Sequence, residues 1–355
     1  MQKSTKDSTS RAVLHRAAKA YVERLFSRSG DSDLTQALKG ESFKSICRLM
    51  VQNPEVFAPY PRPEGAKMWQ HKGPVGAHEF LKCKVVLPSF PQIQKLLQDV
   101  ISDPKAGKPE LVEAISLDPK LVAAVLRLAN KGLGEADQKI DTVAKAVDLF
   151  GFKKIGGLAL GASAISMFKR PGNSVLNVEQ FWKHSVACAV IAEVLARRLG
   201  FDEPDRYFAG GVLHDVGLLF IFEKDDGLGL ELLKLAKDRD ESLYRAEKEL
   251  LGFNHAQLSG TILDEWKFPK HLVAAAAGHH APGMVKYNND AMVVHLADFI
   301  SRALGYSPGV STILGFVDHD SWKKTGLSGD EFLELLPGIR TRIDSIFDIL
   351  KDGRD

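Results

Sequence analysis

Apolar residues recur along this chain at helical rather than alternating intervals. Leu14, Ala17, Ala18, Tyr21, Val22 and Leu25 keep an i, i+3/i+4 rhythm and predict an amphipathic helix over 11–28. A second begins near Asp33, with Leu34, Leu38, Phe43, Ile46, Leu49 and Met50 on its apolar side and Gly40 as a weak point. Five of the sixteen prolines (Pro54, Pro59, Pro61, Pro63, Pro74) then crowd into 53–78. A run of that kind sustains neither a helix nor a central strand, so it reads as a linker or an extended arm.

From Leu87 onward, helix follows helix. Leu111, Ile115, Leu121, Val122, Val125 and Leu126 hold the period across 110–129, and Asp118–Pro119 divides that stretch into two helices, as N-cap and first helical residue. Thr142 caps the next helix and Gly151 ends it. Residues 178–199 form a long helix bearing Phe181, Trp182, Val186, Val190, Ile191, Val194 and Leu195. Others are predicted at 204–222, 227–237, 241–251, 255–266, 270–278 and 289–304. Near the C-terminus, Ser328 and Glu331 make a capping box that opens a helix through Leu336, Pro337–Gly338 interrupts it, and Ile339–Leu350 resumes. No alternating strand pattern and no fixed-period repeat stands out. The fold class is all-α.

Composition narrows the function. The 355 residues are 45% hydrophobic and 26% charged, which excludes a mainly disordered or fibrous chain. The formal charge of +2 is too balanced for a dedicated nucleic-acid binder, although residues 1–78 are locally basic. Cys47, Cys83 and Cys188 lie far apart with no C-x-x-C pair, which fits a reducing compartment. No apolar run reaches the roughly 18–20 residues of a membrane span, and the N-terminus lacks the apolar core of a signal peptide. A cytoplasmic protein without a membrane partner is expected.

The candidate chemistry sits on the later helices. His184, His214–Asp215, His255, His279–His280 and Asp298 together offer imidazole and carboxylate, a ligand set that suits Fe, Mn, Zn or Mg. Each alone reads as an ordinary hydrogen-bonded residue; seven in one helical domain point to a site. Adjacent helical positions point about 100° apart, so one of His279 and His280 is expected at that site and the other as a lid or contact. Cys188, one turn after His184 on the same face, could in principle be a ligand, but a buried thiol in an alanine-rich helix reads more readily as small core filler.

Several blocks are similar to the HDOD family, the HD-related output domains of bacterial signalling proteins. These are LPSFPQIQKLL (87–97), AISLDPKLVAAVLRLANKG (114–132), the T-x-x-x-A-V-x-x-x-G run 142–151, FWKHS (181–185), AGGVLHDVGLL (209–219), GFNHAQLSGTILDEWKFP (252–269), GHHAP (278–282) and VHLADFI (294–300). The resemblance implies an all-α, HD-like bundle related to HD and HD-GYP phosphohydrolases. It divides the chain into an N-terminal helical segment with Pro-rich linker (1–78), an HDOD domain (79–304) and a C-terminal helical extension (305–355). It implies His184, His214, Asp215 and Asp298 as ligands of a first metal, with His255 and His279 or His280 as further ligands.

Two departures argue against hydrolysis. In the HD-GYP branch the resemblance implies a lysine after the HD pair to contact phosphate, and here Leu218 stands there; after the paired histidines that branch carries an acidic residue and a G-Y-P turn, and here Ala281–Pro282–Gly283–Met284 follows. The expected function is therefore a signal-transduction output or scaffold module with a degenerate metal site, binding a signalling partner protein or a nucleotide. The rival is a metal-dependent phosphohydrolase acting on nucleotides or cyclic dinucleotides. A purely structural bundle is the third reading.

Overall fold

Helices form where the apolar periods place them. The computed structural model describes residues 2–52, 76–82, 92–117, 121–122, 125–126, 140, 142–167, 175–202, 204–224, 226–266, 268–307 and 313–352. Its elements are α1 (Gln2–Leu25), α2 (Asp33–Gln52), α3 (Ala77–Lys82), α4 (Gln92–Ser102), α5 (Lys108–Ser116), α6 (Val143–Phe150), α7 (Phe152–Met167), α8 (Val178–Arg198) and α9 (Asp205–Leu213). They continue as α10 (Val216–Lys224), α11 (Asp226–Asp238), α12 (Leu243–Leu251), α13 (His255–Glu265), α14 (Lys270–Gly278), α15 (Asn288–Ala303), α16 (His319–Lys324) and α17 (Gly329–Asp352). A 3-10 turn, Pro282–Met284, follows α14, and no strand occurs among the described residues. The Pro-rich stretch and the helix expected after Pro119 lie largely outside the described residues.

The predicted caps form. Thr142 Oγ1 accepts from Lys145 N–H at 3.2 Å, and Gly151 closes α6 at φ 86°, a left-handed conformation that suits glycine. Ser328 N–H donates to Glu331 Oε2 at 2.8 Å while Glu331 N–H donates to Ser328 Oγ at 3.2 Å.

Two boundaries differ from the sequence expectation. The single helix expected over 204–222 is two, α9 and α10, parted at His214–Asp215. Pro337 does not interrupt the last helix; α17 runs through it. A mid-helix proline costs about 3 kcal/mol. Phe332, Leu336, Ile339, Ile343 and Ile346 line one buried stripe of α17, and burying such side chains contributes roughly 1.5–3 kcal/mol each. The stripe outweighs the proline.

The core is centred on α8, whose Phe181, Trp182, Ala187, Val190, Ile191 and Leu195 are buried against α9, α15 and α17. A Cβ on Gly211 of α9 would lie 2.5 Å from Ala189 Cα of α8, so these two helices meet at backbone contact. The second helix joins the last two. Asp33 accepts from Trp322 Nε1–H at 3.0 Å and Gly329 N–H at 2.9 Å, and Arg340 reaches Glu41 at 3.0 Å and Ser45 at 3.2 Å.

Glu193, 1% exposed on α8, anchors the other side of α17 through Arg342 at 2.5 Å, and also meets Arg197 at 2.9 Å and Lys154 at 3.4 Å. Burial alone would raise its pKa, but Arg342 and Lys154, with the hydrogen bonds of Arg342 and Arg197, hold it below the usual glutamate range. A depressed carboxylate stabilises the fold above its unfolded pKa of about 4.3, and that contribution is lost as the pH falls through the folded value. The urea midpoint of wild type should therefore exceed that of Glu193→Gln at pH 7, with the gap closing between about pH 5 and pH 3. A gap independent of pH would show that the ion pairs contribute nothing.

Gly40 makes a smaller, opposite case. Nothing lies within 4 Å of a Cβ added there in the middle of α2. Gly40→Ala should stabilise the protein by about 0.5–1 kcal/mol in chemical denaturation, through helix propensity alone.

Candidate metal centre

All seven candidate ligands converge. His184 comes from α8, His214 and Asp215 from the α9–α10 junction, His255 from the first position of α13, His279 and His280 from just beyond α14, and Asp298 from α15. All are buried except His280, which is half-buried. His184 Nε2 lies 3.3 Å from His214 Nε2, 3.3 Å from Asp298 Oδ1 and 3.5 Å from Asp215 Oδ2. His214 Nε2 is 3.4 Å from the same Asp215 oxygen. The other oxygen, Asp215 Oδ1, faces His255 Nε2 at 3.3 Å and His279 Nε2 at 3.4 Å, and His280 Nε2 is 2.8 Å from His255 Nε2. Asp215 thus stands between two groups of imidazoles.

Local breaks in the helices make this convergence possible. His214 and His279 are the C-caps of α9 and α14, and each ring donates Nδ1–H to the carbonyl three residues back, Gly211 and Ala276, at 2.8 Å. Side-chain bonds of that kind compete with the helix ladder, and the chain turns there. His214 and Asp215 then both reach the site, as do His279 and His280. The expectation that only one of His279 and His280 could face it fails, because neither lies within a helix. His255 is placed by Asn254, whose side chain caps α13 in a reciprocal capping box with Gln257.

The histidines are oriented as metal ligands are. His184 Nδ1–H donates to the Tyr306 carbonyl at 2.7 Å and His255 Nδ1–H to Glu247 Oε2 at 2.6 Å. With His214 and His279 held by backbone carbonyls, four rings give Nδ1–H to a fixed acceptor and aim Nε2 inward, the arrangement that fixes the ligating tautomer. Asp215 Oδ1 and His279 Nε2 are buried without a hydrogen-bond partner, and a buried polar atom left so costs about 1–3 kcal/mol. The donor set, its orientation and these two atoms fit a divalent cation. His184–Cys188–His214–Asp298, His255–His279–His280 and His214–Asp215–His279 each could hold one.

Burial and charge oppose each other here. The Asp298 carboxyl is held well below its ordinary range despite burial, by Arg302 and by hydrogen bonds from His184 and His214. Asp215 is likewise held down against burial by His214 and His255. Burial works to keep His184 neutral, but Cys188, Asp215 and Asp298 raise its pKa well above the ordinary value. Burial prevails at His279 and, with His279 and His255 adding to it, still more at His280, both of which titrate low. Against the same burial, Asp215 and Cys188 likewise raise His214, and Glu247 and Asp215 raise His255, so a cation would have to displace protons from His184, His214 and His255 as it binds.

Sequence reasoning missed several contributors. Cys188 is buried as expected of core filler, yet its sulfur lies 3.6 Å from His184 Nε2 and 3.9 Å from His214 Nε2. Its i, i+4 spacing from His184 was the available signal. Glu247 accepts from both the ring and the backbone N–H of His255, and Tyr244 stacks on His280 with centroids 4.4 Å apart. Nothing in the chain marks these two, since their roles depend on how α12 lies against α13. His295 stands outside the site, but its Nδ1–H donates to the His279 carbonyl at 2.7 Å and steadies that turn.

The sequence model of the HDOD domain matches residues 87–282. An uncharacterised protein of Treponema pallidum (strain Nichols) is 20% identical over 196 residues, which is 55% of this chain and 37% of that relative, so the matched stretch spans little more than a third of its length. Among solved structures, a candidate phosphohydrolase from Shewanella amazonensis SB2B superposes with a TM-score of 0.62 at 24% identity, covering 78% of this chain and 100% of that one. A candidate signal transduction protein from Marinobacter aquaeolei VT8 gives 0.61 at 19% identity, covering 89% and 66%. At these identities both are likenesses of fold. No described helix is long and apolar enough to cross a membrane.

Proposed function

The chain belongs to the HDOD family, and from that premise we propose that it is an intracellular signalling output module whose histidine–carboxylate cluster binds a divalent cation and sets the packing of its helices, without hydrolysing phosphate. The ligands are drawn from α8, the α9–α10 junction, α13, the end of α14 and α15. Cation binding by these groups would tie five segments together, and a partner protein or nucleotide that senses their arrangement would sense the cation.

One observation carries the non-hydrolytic part. Leu218, where the HD-GYP hydrolases place a phosphate-binding lysine, is 1% exposed and carries no charge. The segment after His280 supplies Ala281, Pro282, Gly283 and Met284, none of which offers charge to a phosphate. A bound cation could polarise a phosphoryl oxygen or lower the pKa of a water. The residues that would bind and orient the scissile group are not in place.

The test combines metal analysis with assays on protein purified without chelator or histidine tag. Bound metal is expected, with product release at background from cyclic di-GMP, other cyclic dinucleotides and aryl phosphates. Hydrogen exchange around residues 205–224 and 255–300 should slow when cation is added. Turnover that disappears in Asp215→Asn would establish the phosphohydrolase instead.

A further inference from the structure

The cluster reaches one side chain beyond the HD pattern. Cys188 Sγ belongs to a set of four donor atoms, with His184 Nε2, His214 Nε2 and Asp298 Oδ1, that all lie within 4.8 Å of one another. Five of the six separations are 3.3, 3.3, 3.6, 3.9 and 3.9 Å. Four ligands around one zinc, at the usual metal–nitrogen, metal–oxygen and metal–sulfur distances, stand about 3.3–3.6 Å apart. Three of the five separations fall in that range and the two at 3.9 Å lie just beyond it, so small movements would bring the donors around one cation. We propose that Cys188 is a ligand of the first cation, and that its sulfur selects a thiolate-accepting dication, zinc or ferrous iron, over magnesium or manganese. This rests on the reading of the cluster as a cation site given above.

The surroundings support a ligand more than filler. Cys188 is fully buried, and α8 delivers it one turn from His184, so both project to the same side. Ser301 Oγ lies 3.1 Å from the sulfur while donating its own hydrogen to the Asp298 carbonyl at 2.9 Å, so the hydroxyl is fixed between two of the four donors' residues. Asp215 also reaches this cluster, its Oδ2 lying 3.5 and 3.4 Å from His184 and His214. Zinc accepts a fifth donor of this kind. On binding, the S–H proton leaves to solvent as the sulfur–metal bond forms. An all-nitrogen and oxygen set suits harder ions, whereas one thiolate biases a site towards zinc and iron.

Cobalt(II) reports the bond directly. Protein stripped of metal and reloaded with Co2+ should show the near-ultraviolet thiolate-to-cobalt charge-transfer band. Cys188→Ser, nearly the same size and able to fill the same space, should still bind Co2+ but lose the band. Its Zn2+ affinity should fall at least about tenfold, the lower end of what disturbing a metal site costs, while Mn2+ binding changes little. Stoichiometric Co2+ without the band in wild type would overturn the Cys188 assignment and leave the cation site standing. A wild-type protein that takes up neither Co2+ nor Zn2+ would overturn both.

Discussion

Asp215→Asn should weaken cation binding by both groups of imidazoles at once. Each carboxylate oxygen serves a different group of imidazoles, Oδ2 at 3.5 and 3.4 Å from His184 and His214, and Oδ1 at 3.3 and 3.4 Å from His255 and His279. An amide keeps the shape but removes the charge, and turns an NH2 towards one of the two groups. A cation that binds only the folded state stabilises it by about 2.7 kcal/mol when present at a hundred times its dissociation constant. Saturating Zn2+ or Co2+ should therefore raise the melting temperature of wild type by several degrees and that of the variant markedly less. Metal analysis of the two proteins side by side gives the second readout. A variant that retains stoichiometric metal would show that Asp215 does not join the two groups.

Gly211→Ala should damage the same region from behind, by overpacking. The new Cβ would sit 2.5 Å from both Ala189 Cα and Ala189 N, and 2.7 Å from the Cys188 carbonyl carbon. These are backbone atoms of the central helix α8, so no side chain can rotate out of the way, and α9 must move off α8. Overpacking typically costs 1–3 kcal/mol, and a clash with backbone belongs at the top of that range, so about 3 kcal/mol is expected. The shift would also carry His214 away from His184, so cation-dependent stabilisation should fall together with the denaturation midpoint. A variant as stable as wild type would mean that the two helices are not in backbone contact.

The helices were legible because burial imposes their period. The apolar positions of 178–199 appear as α8, the predicted 270–278 coincides with α14, and Thr142, Gly151 and Ser328 act as the caps their chemistry implies. That these seven side chains belong together was legible too, through the blocks that resemble the family, and they converge in the fold. What escaped was where side-chain chemistry overrides helix propensity. His214 and His279 bond to carbonyls of their own helices and end them, which periodicity cannot detect because the apolar pattern continues on either side. Pro337 erred in the other direction: local propensity marked a break, and the buried stripe of α17 carried the helix through. Glu247 was invisible because it acts on His255 across the turn between α12 and α13, a relation fixed only by tertiary packing.

Asp33, near the start of the chain, is held by Trp322 and Gly329 near its end, and 289 residues separate it from Trp322. A ribosome adding about 5–20 residues each second needs roughly fifteen seconds to a minute to cover that interval. Throughout it, the face of α2 that bears Asp33, Glu41 and Ser45 has emerged without the helix it docks on. The opening fifty residues must therefore wait, exposed, for the last thirty to be made. A ribosome stalled before α17 would leave that face uncovered even with all seven residues of the candidate metal centre already synthesised.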